Sequence, residues 1–271
     1  MGSRVSYKKL WVALIVVLAS SFMIFSTTVF LAGGIVGTFH HLYFAGMPNS
    51  VLALGSVFSA LEVVPLVLIG FEAGENIRLL QTQSWLNVYR WPIFFFVAVA
   101  FWNFVGAGLF GFLINPPIAL YFMQGLNLTP VHGHTALFGV YGMLGIGLTL
   151  FCLRILHPHS AWSESLLRFS FWTLNVGLAL MVVLSLLPIG LMQTWASIQQ
   201  GTWYARSTAF LRTDLMIRLR WMRMIGDTLF AFGAASFGGF VVKLCIQSKY
   251  RNYNRIDFKR RPEAYEALTR S

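Results

Sequence analysis

Runs of about twenty apolar residues, each bounded by charged or turn residues, recur through the 271-residue chain and match the roughly 30 Å hydrocarbon core that such a run spans as a helix. Inside lipid no water can satisfy backbone N–H and C=O groups, so a single crossing segment must pair them within itself, which only a helix does. Six spans follow, at 11–44, 51–71, 91–113, 132–153, 169–192 and 221–244. The expected fold is an all-α, polytopic integral membrane protein, with a six-helix membrane domain over 1–248 and a basic, disordered tail over 249–271. The first run is long: at 1.5 Å per residue it would reach about 50 Å, so it tilts and projects or has an unusual start. Composition supports the class. Hydrophobic residues make up 57% and charged residues 11%, whereas a soluble domain keeps about a quarter of its residues charged. A soluble enzyme, a disordered chain and a secreted disulfide scaffold are excluded.

The net charge of +11 points to membrane topology rather than to nucleic acid, because the Lys and Arg residues lie in short clusters between apolar runs and near the C-terminus. With six crossings, fifteen of the twenty Lys and Arg fall on the side of both termini. The positive-inside rule makes that side cytoplasmic. The connections after Phe44 and after Leu113 then face outward and carry no Lys or Arg. Cys152 and Cys245 fall at cytoplasmic span ends, where a disulfide is not expected. Arg4, Lys8 and Lys9 before an apolar run, with Ala19, Ser20 and Ser21 after it, also fit a signal peptide as the lesser reading. Met1, Gly2 and Ser6 match a loose myristoylation pattern that a multi-spanning chain has no use for.

Ionisable and metal-binding side chains inside a span are costly and so mark function by default. His40 and His41 stand near the outer end of the first run, Glu62 in the middle of the second, and His132 and His134 at the outer start of the fourth. Adjacent helical residues diverge by about 100°, so His40 and His41 can share one metal only if it lies between their directions. A hydrated interfacial pair is the plainer alternative. His132 and His134 diverge by about 200°, which suits two separate cofactors better than one ion; polar capping beside Thr129 and Thr135 is the alternative. Glu62 has no Lys or Arg in its span, so desolvation favours a neutral acid, fit to carry a proton or to bond a neighbouring helix. Gly133, Gly139, Gly142, Gly145 and Gly147 read first as helix-packing positions, and Asn103 as an interhelical hydrogen-bonding group. Arg220, Arg223 and Asp227 cluster at the outer start of the sixth span, where they could hold carboxylates or form an ordinary i, i+4 ion pair.

Taken together, GTFHHLYFAG, SALEVVPL, FWNFVGAGLFGFLINPPIALYF and LTPVHGHTALFGVYGMLGIGL resemble nitric oxide reductase of the haem-copper oxidase superfamily, most closely its quinol-dependent, single-chain type. The resemblance covers about Leu31 to Leu244 and corresponds to the last six helices of a twelve-helix core. It implies that His40 and His41 ligate a non-haem iron, that His132 is the proximal ligand of a high-spin haem b, and that His134 is one ligand of a low-spin haem b. It places Glu62 as the acid beside the binuclear centre, and Arg220 and Arg223 as candidates for the haem propionates. It further implies quinol as electron donor, a bacterial cytoplasmic membrane, and reduction of two NO to N2O and water. Phe39 departs from the family, which usually has Gly immediately before the histidine pair.

Ligand number sets a further expectation. A low-spin haem takes two axial ligands and a non-haem iron more than two, while this chain offers one and two, so the remaining ligands are expected from the N-terminal half of the catalytic subunit. An oxygen reductase usually has Lys in the helix that here holds Glu62; a nitric oxide dismutase-like relative and a non-catalytic remnant or assembly subunit are the other readings.

Overall fold

The computed structural model describes residues 35–42, 45–61, 64, 88–157 and 161–260. A short 3-10 turn, Thr38–Leu42, precedes helix α1, Asn49–Leu61. Then come α2, Arg90–Ile114; α3, Pro117–Met123; α4, Leu128–Leu156; α5, Glu164–Gln200; two short helices, α6, Thr202–Arg206, and α7, Thr208–Leu211; and the long α8, Asp214–Arg260. Among the described residues there is no strand. Four helices are long and apolar enough to cross a membrane: α2, α4, α5 and the Asp214–Gln247 part of α8. They coincide with the third to sixth apolar runs, each extended by a few residues because helices continue past the hydrocarbon edge. Helix α1 lies within the second run; most of the first run, Glu62 and the remainder of the second lie outside the described residues.

One expectation changes at the C-terminus. Helix α8 continues to Arg260, through about half of the segment expected to be a disordered tail. After Gly239 there is neither Gly nor Pro before Pro262, so nothing in the backbone chemistry stops the helix sooner.

Lipid is as apolar as a leucine side chain, so helix association rests on close packing and on interhelical hydrogen bonds. Helices α5 and α8 meet along most of their apolar length, through small residues. A Cβ added at Gly177 would lie 2.6 Å from Phe230 N, and one at Gly233 would lie 2.8 Å from Leu174 N, so glycine there permits backbone-to-backbone contact. Helices α2 and α4 are joined the same way: Gly147 admits the Phe96 ring and Gly139 admits Trp102. Phe95, Trp102, Leu150, Leu174, Leu178 and Phe240 form the shared core of all four helices. Trp102 Nε1 donates to Asn175 Oδ1 at 2.8 Å and Ser236 Oγ to the Leu166 carbonyl at 3.0 Å, bonds that contribute on the order of 0.6 kcal/mol each within a membrane. The interhelical bond expected of Asn103 is thus made by its neighbour Trp102.

Helices α3, α6 and α7 close one end of the bundle. Asn115, buried at the end of α2, returns its side-chain N–H to the Gly111 carbonyl at 2.8 Å, and its own carbonyl accepts from Ser56 of α1. Pro116 and Pro117 then start α3, with Pro at the first helical turn, where a missing N–H costs nothing. Gln193 of α5 accepts from Asn127 N at 2.9 Å and donates to the Ala205 carbonyl at 3.1 Å, tying the start of α4 to α6. Arg206 donates to the Gln124 carbonyl. Cys152 and Cys245 are free thiols.

Candidate metal centre

His40, His132 and His134 all lie at this closed end. The three rings share one arrangement: Nδ1 of each meets a backbone carbonyl, that of Gly37 for His40 at 2.5 Å, of Gly106 for His132 at 2.9 Å and of Pro130 for His134 at 2.8 Å. A carbonyl only accepts, so in the neutral imidazole Nδ1 carries the proton and Nε2 keeps the lone pair. That is the arrangement by which a second contact orients a metal-ligating histidine.

Two of these rings converge. His40 and His132 have centroids 6.2 Å apart at an interplanar angle of 72°, and both line a cavity of about 310 Å³ whose wall includes Asn115, Met123, Thr129 and Gly133. The two glycines beside His132 differ in their surroundings. A Cβ at Gly133 would meet nothing within 4 Å, whereas one at Gly111 of α2 would lie 3.2 Å from the His132 ring. Beside them both helices widen to π-helix, over Asn103–Phe110 in α2 and Thr135–Gly142 in α4; such wide turns recur at functional sites. Thr135, fully buried, bonds back to the Val131 carbonyl at 2.7 Å and packs on Gly106, holding the two wide segments together.

His134 points elsewhere. Its Nε2 accepts from the Arg223 guanidinium of α8 at 2.8 Å, and its ring stands 5.4 Å from Phe138. Arg223 also pairs with Asp227 at 3.1 Å, the i, i+4 bridge weighed from sequence. Arg220 turns away to the Leu211 carbonyl and does not join Arg223 in one anion-binding fork.

Phe39, the departure from the resembled pattern, is met by Gly55 of α1: a Cβ there would lie 2.6 Å from Phe39 Cβ and 3.0 Å from His40 N. The bulk gained before the histidine pair is thus given up by the facing helix. The side chain of His41, and Glu62 altogether, lie outside the described residues. Among the described residues no three His, Cys, Asp or Glu side chains converge to hold a metal, so the donor set at the cavity is His40 and His132. Their chemistry fits iron or haem iron, for which imidazole nitrogen is a common ligand, and Gly133 leaves room for a flat group. The Gly106 carbonyl, the Asn115 tie and the Phe39 and Gly55 contact were not read from sequence.

The chain is 26% identical over 212 residues, 75% of its length, to a nitric oxide reductase subunit of Stutzerimonas stutzeri, and that alignment covers 43% of the relative. It therefore spans less than half the length of the relative it matches. The pattern described as cytochrome c and quinol oxidase polypeptide I matches residues 13–229. With that match over most of its residues and a bundle of apolar helices to carry it, the chain belongs to the cytochrome c and quinol oxidase polypeptide I family, the haem-copper oxidases.

Proposed function

We propose that this chain forms half of the catalytic core of a nitric oxide reductase, in which two NO, two electrons and two protons give N2O and water. The observation that carries the reading is the approach of His40 and His132 from separate elements to one cavity, each with Nδ1 committed to a carbonyl. His40 and His41 are the proposed ligands of a non-haem iron, His132 of a high-spin haem b and His134 of a low-spin haem b. Those groups would supply electron transfer and NO binding.

The chain's own residues have separate tasks. The Gly106 carbonyl and Thr135 keep the His132 ring aimed at the cavity, and the apolar wall of Ile114, Leu120 and Met123 limits water. Glu62 is the proposed proton carrier, since a span without a cation favours its neutral, proton-bearing form. Arg223 is a proposed propionate partner; Arg220, directed at Leu211, serves that role only if its side chain turns. The low-spin haem and the iron require more ligands than this chain offers, so the N-terminal half of the catalytic subunit is the proposed partner, with quinol as donor. On the positive-inside rule both termini are cytoplasmic, and the proposed location is the bacterial inner membrane.

The test is ¹⁵N2O formation from ¹⁵NO in anaerobic membranes holding the chain together with the complementing half. Wild type should form ¹⁵N2O, and Glu62→Gln should keep its haem while losing most turnover. Oxygen consumption without N2O formation would make the protein an oxygen reductase, and neither activity at full haem content would make it a non-catalytic relative.

A further inference from the structure

At the opposite end of the bundle, away from His40, His132 and His134, the starts of α2 and α5 frame a second cavity of about 280 Å³, lined by Arg90, Trp91, Phe94, Arg168, Phe171 and Trp172. Two cations and four aromatic rings in one hollow at a span end combine two separate recognition chemistries. The arrangement follows from helix phase: Glu164, Arg168 and Trp172 are spaced by four along α5, and Arg90, Trp91 and Phe94 occupy the first turn and a half of α2, so each helix turns one face to the hollow.

The charges in the hollow do not cancel. The Glu164 carboxylate is taken by Arg90 and by Trp91 Nε1, which donates at 2.7 Å. Arg168 is exposed and makes no ion pair among the described residues, so the cavity carries an excess of one positive charge. The N-terminal ends of two helices add to it, since α2 begins at Arg90 and α5 at Glu164 and helix starts carry partial positive charge. The aromatic wall faces outward, with Trp172 59% and Phe94 42% exposed, which sets apolar surface against lipid just below the cations. Trp at this depth is typical of the membrane interface.

We propose that this cavity seats the phosphate of an anionic glycerophospholipid, with Arg168 and Arg90 as its hydrogen-bond donors and the Trp91, Phe94, Phe171 and Trp172 wall against the upper acyl chains. The occupant is a lipid rather than a free anion because the hollow is largely apolar and continues into an exposed aromatic surface, which an inorganic ion would not use. The site lies on the side where the Lys and Arg bias is greatest, the leaflet in which anionic headgroups meet basic clusters. It is independent of the NO chemistry proposed above.

The experiment places the chain, assembled with the complementing half, in phosphatidylcholine nanodiscs with increasing phosphatidylglycerol and reads retained lipid by native mass spectrometry and the lipid-dependent rise in melting temperature. Wild type should retain phosphatidylglycerol in preference to phosphatidylcholine. Arg168→Gln, which breaks no described ion pair, should weaken that retention roughly fivefold, the effect of about one basic side chain at a lipid surface. Trp172→Ala should also weaken it, Arg168→Lys should restore most of it, and Arg218→Gln, near the start of α8 and outside the hollow, should leave it unchanged. Melting temperature in pure phosphatidylcholine checks that each variant is folded. Equal retention of the two lipids, or an Arg168→Gln variant that binds phosphatidylglycerol as wild type does, overturns the proposal. Stabilisation by inorganic phosphate alone, equal to that by the lipid, would also overturn it in favour of a free-anion site.

Discussion

On one face of α4 the His132 ring is oriented by a neighbouring helix, through the Gly106 carbonyl of α2; on another, the His134 ring is oriented by its own helix, through the Pro130 carbonyl. Two residues apart in sequence, they differ in what holds them. His132 depends on how closely α2 and α4 approach, so any change in that spacing reaches it, and it lines the cavity shared with His40. His134 carries its orientation with it and is hydrogen-bonded to α8 through Arg223. A ring set by interhelical packing is exposed to distant substitutions, whereas a ring set within its own turn is sensitive only to local ones.

The largest expected effect comes from removing each ring in the assembled protein. His132→Ala should abolish the high-spin haem signature and His134→Ala the low-spin one, read from optical and EPR spectra with total haem as control. If both variants deplete the same haem equally in a folded protein, the two faces are not separate sites.

A smaller effect is expected from the packing that supports His132. Gly106→Ala would drive a methyl group into Thr135, and overpacking of this kind costs about 1–3 kcal/mol. It should disturb the high-spin spectrum and leave the low-spin one intact. Gly145→Ala, at a position with nothing within 4 Å, is the counterpart on α4, the helix of His132: it should leave both spectra unchanged and stabilise modestly, by up to about 1 kcal/mol from helix propensity. Melting temperatures and spectra of the two variants distinguish tight from open glycine positions, and a harmless Gly106→Ala would show that interhelical approach does not set His132.

The smallest effect belongs to Arg223. Its pairing with Asp227 involves side chains that are 37% and 45% exposed, and such partly exposed pairs contribute at most about 1 kcal/mol. Arg223→Gln should alter the low-spin spectrum slightly, leave the high-spin one untouched and change stability by less than that amount. Loss of the whole low-spin signature would mean that His134 is held by α8 after all.

Much of this architecture follows from the amino-acid order alone. Length and apolarity of the runs determine that the chain is helical and spans a membrane, because hydrocarbon tolerates no other way for a lone segment to satisfy its backbone. The two-residue interval between His132 and His134 determines that the rings diverge, because helical phase is a local property. What the order of residues could not settle is which carbonyl, glycine or arginine each side chain meets. Gly139 and Gly147 are tight packing positions while Gly133 and Gly145 face open space, although all four sit on one helix and look alike in sequence. Phe39 becomes tolerable only because Gly55, sixteen residues away, faces it. These are facts of helix-to-helix distance and rotation, decided by the fit of all the surfaces together, and only the tertiary structure carries them.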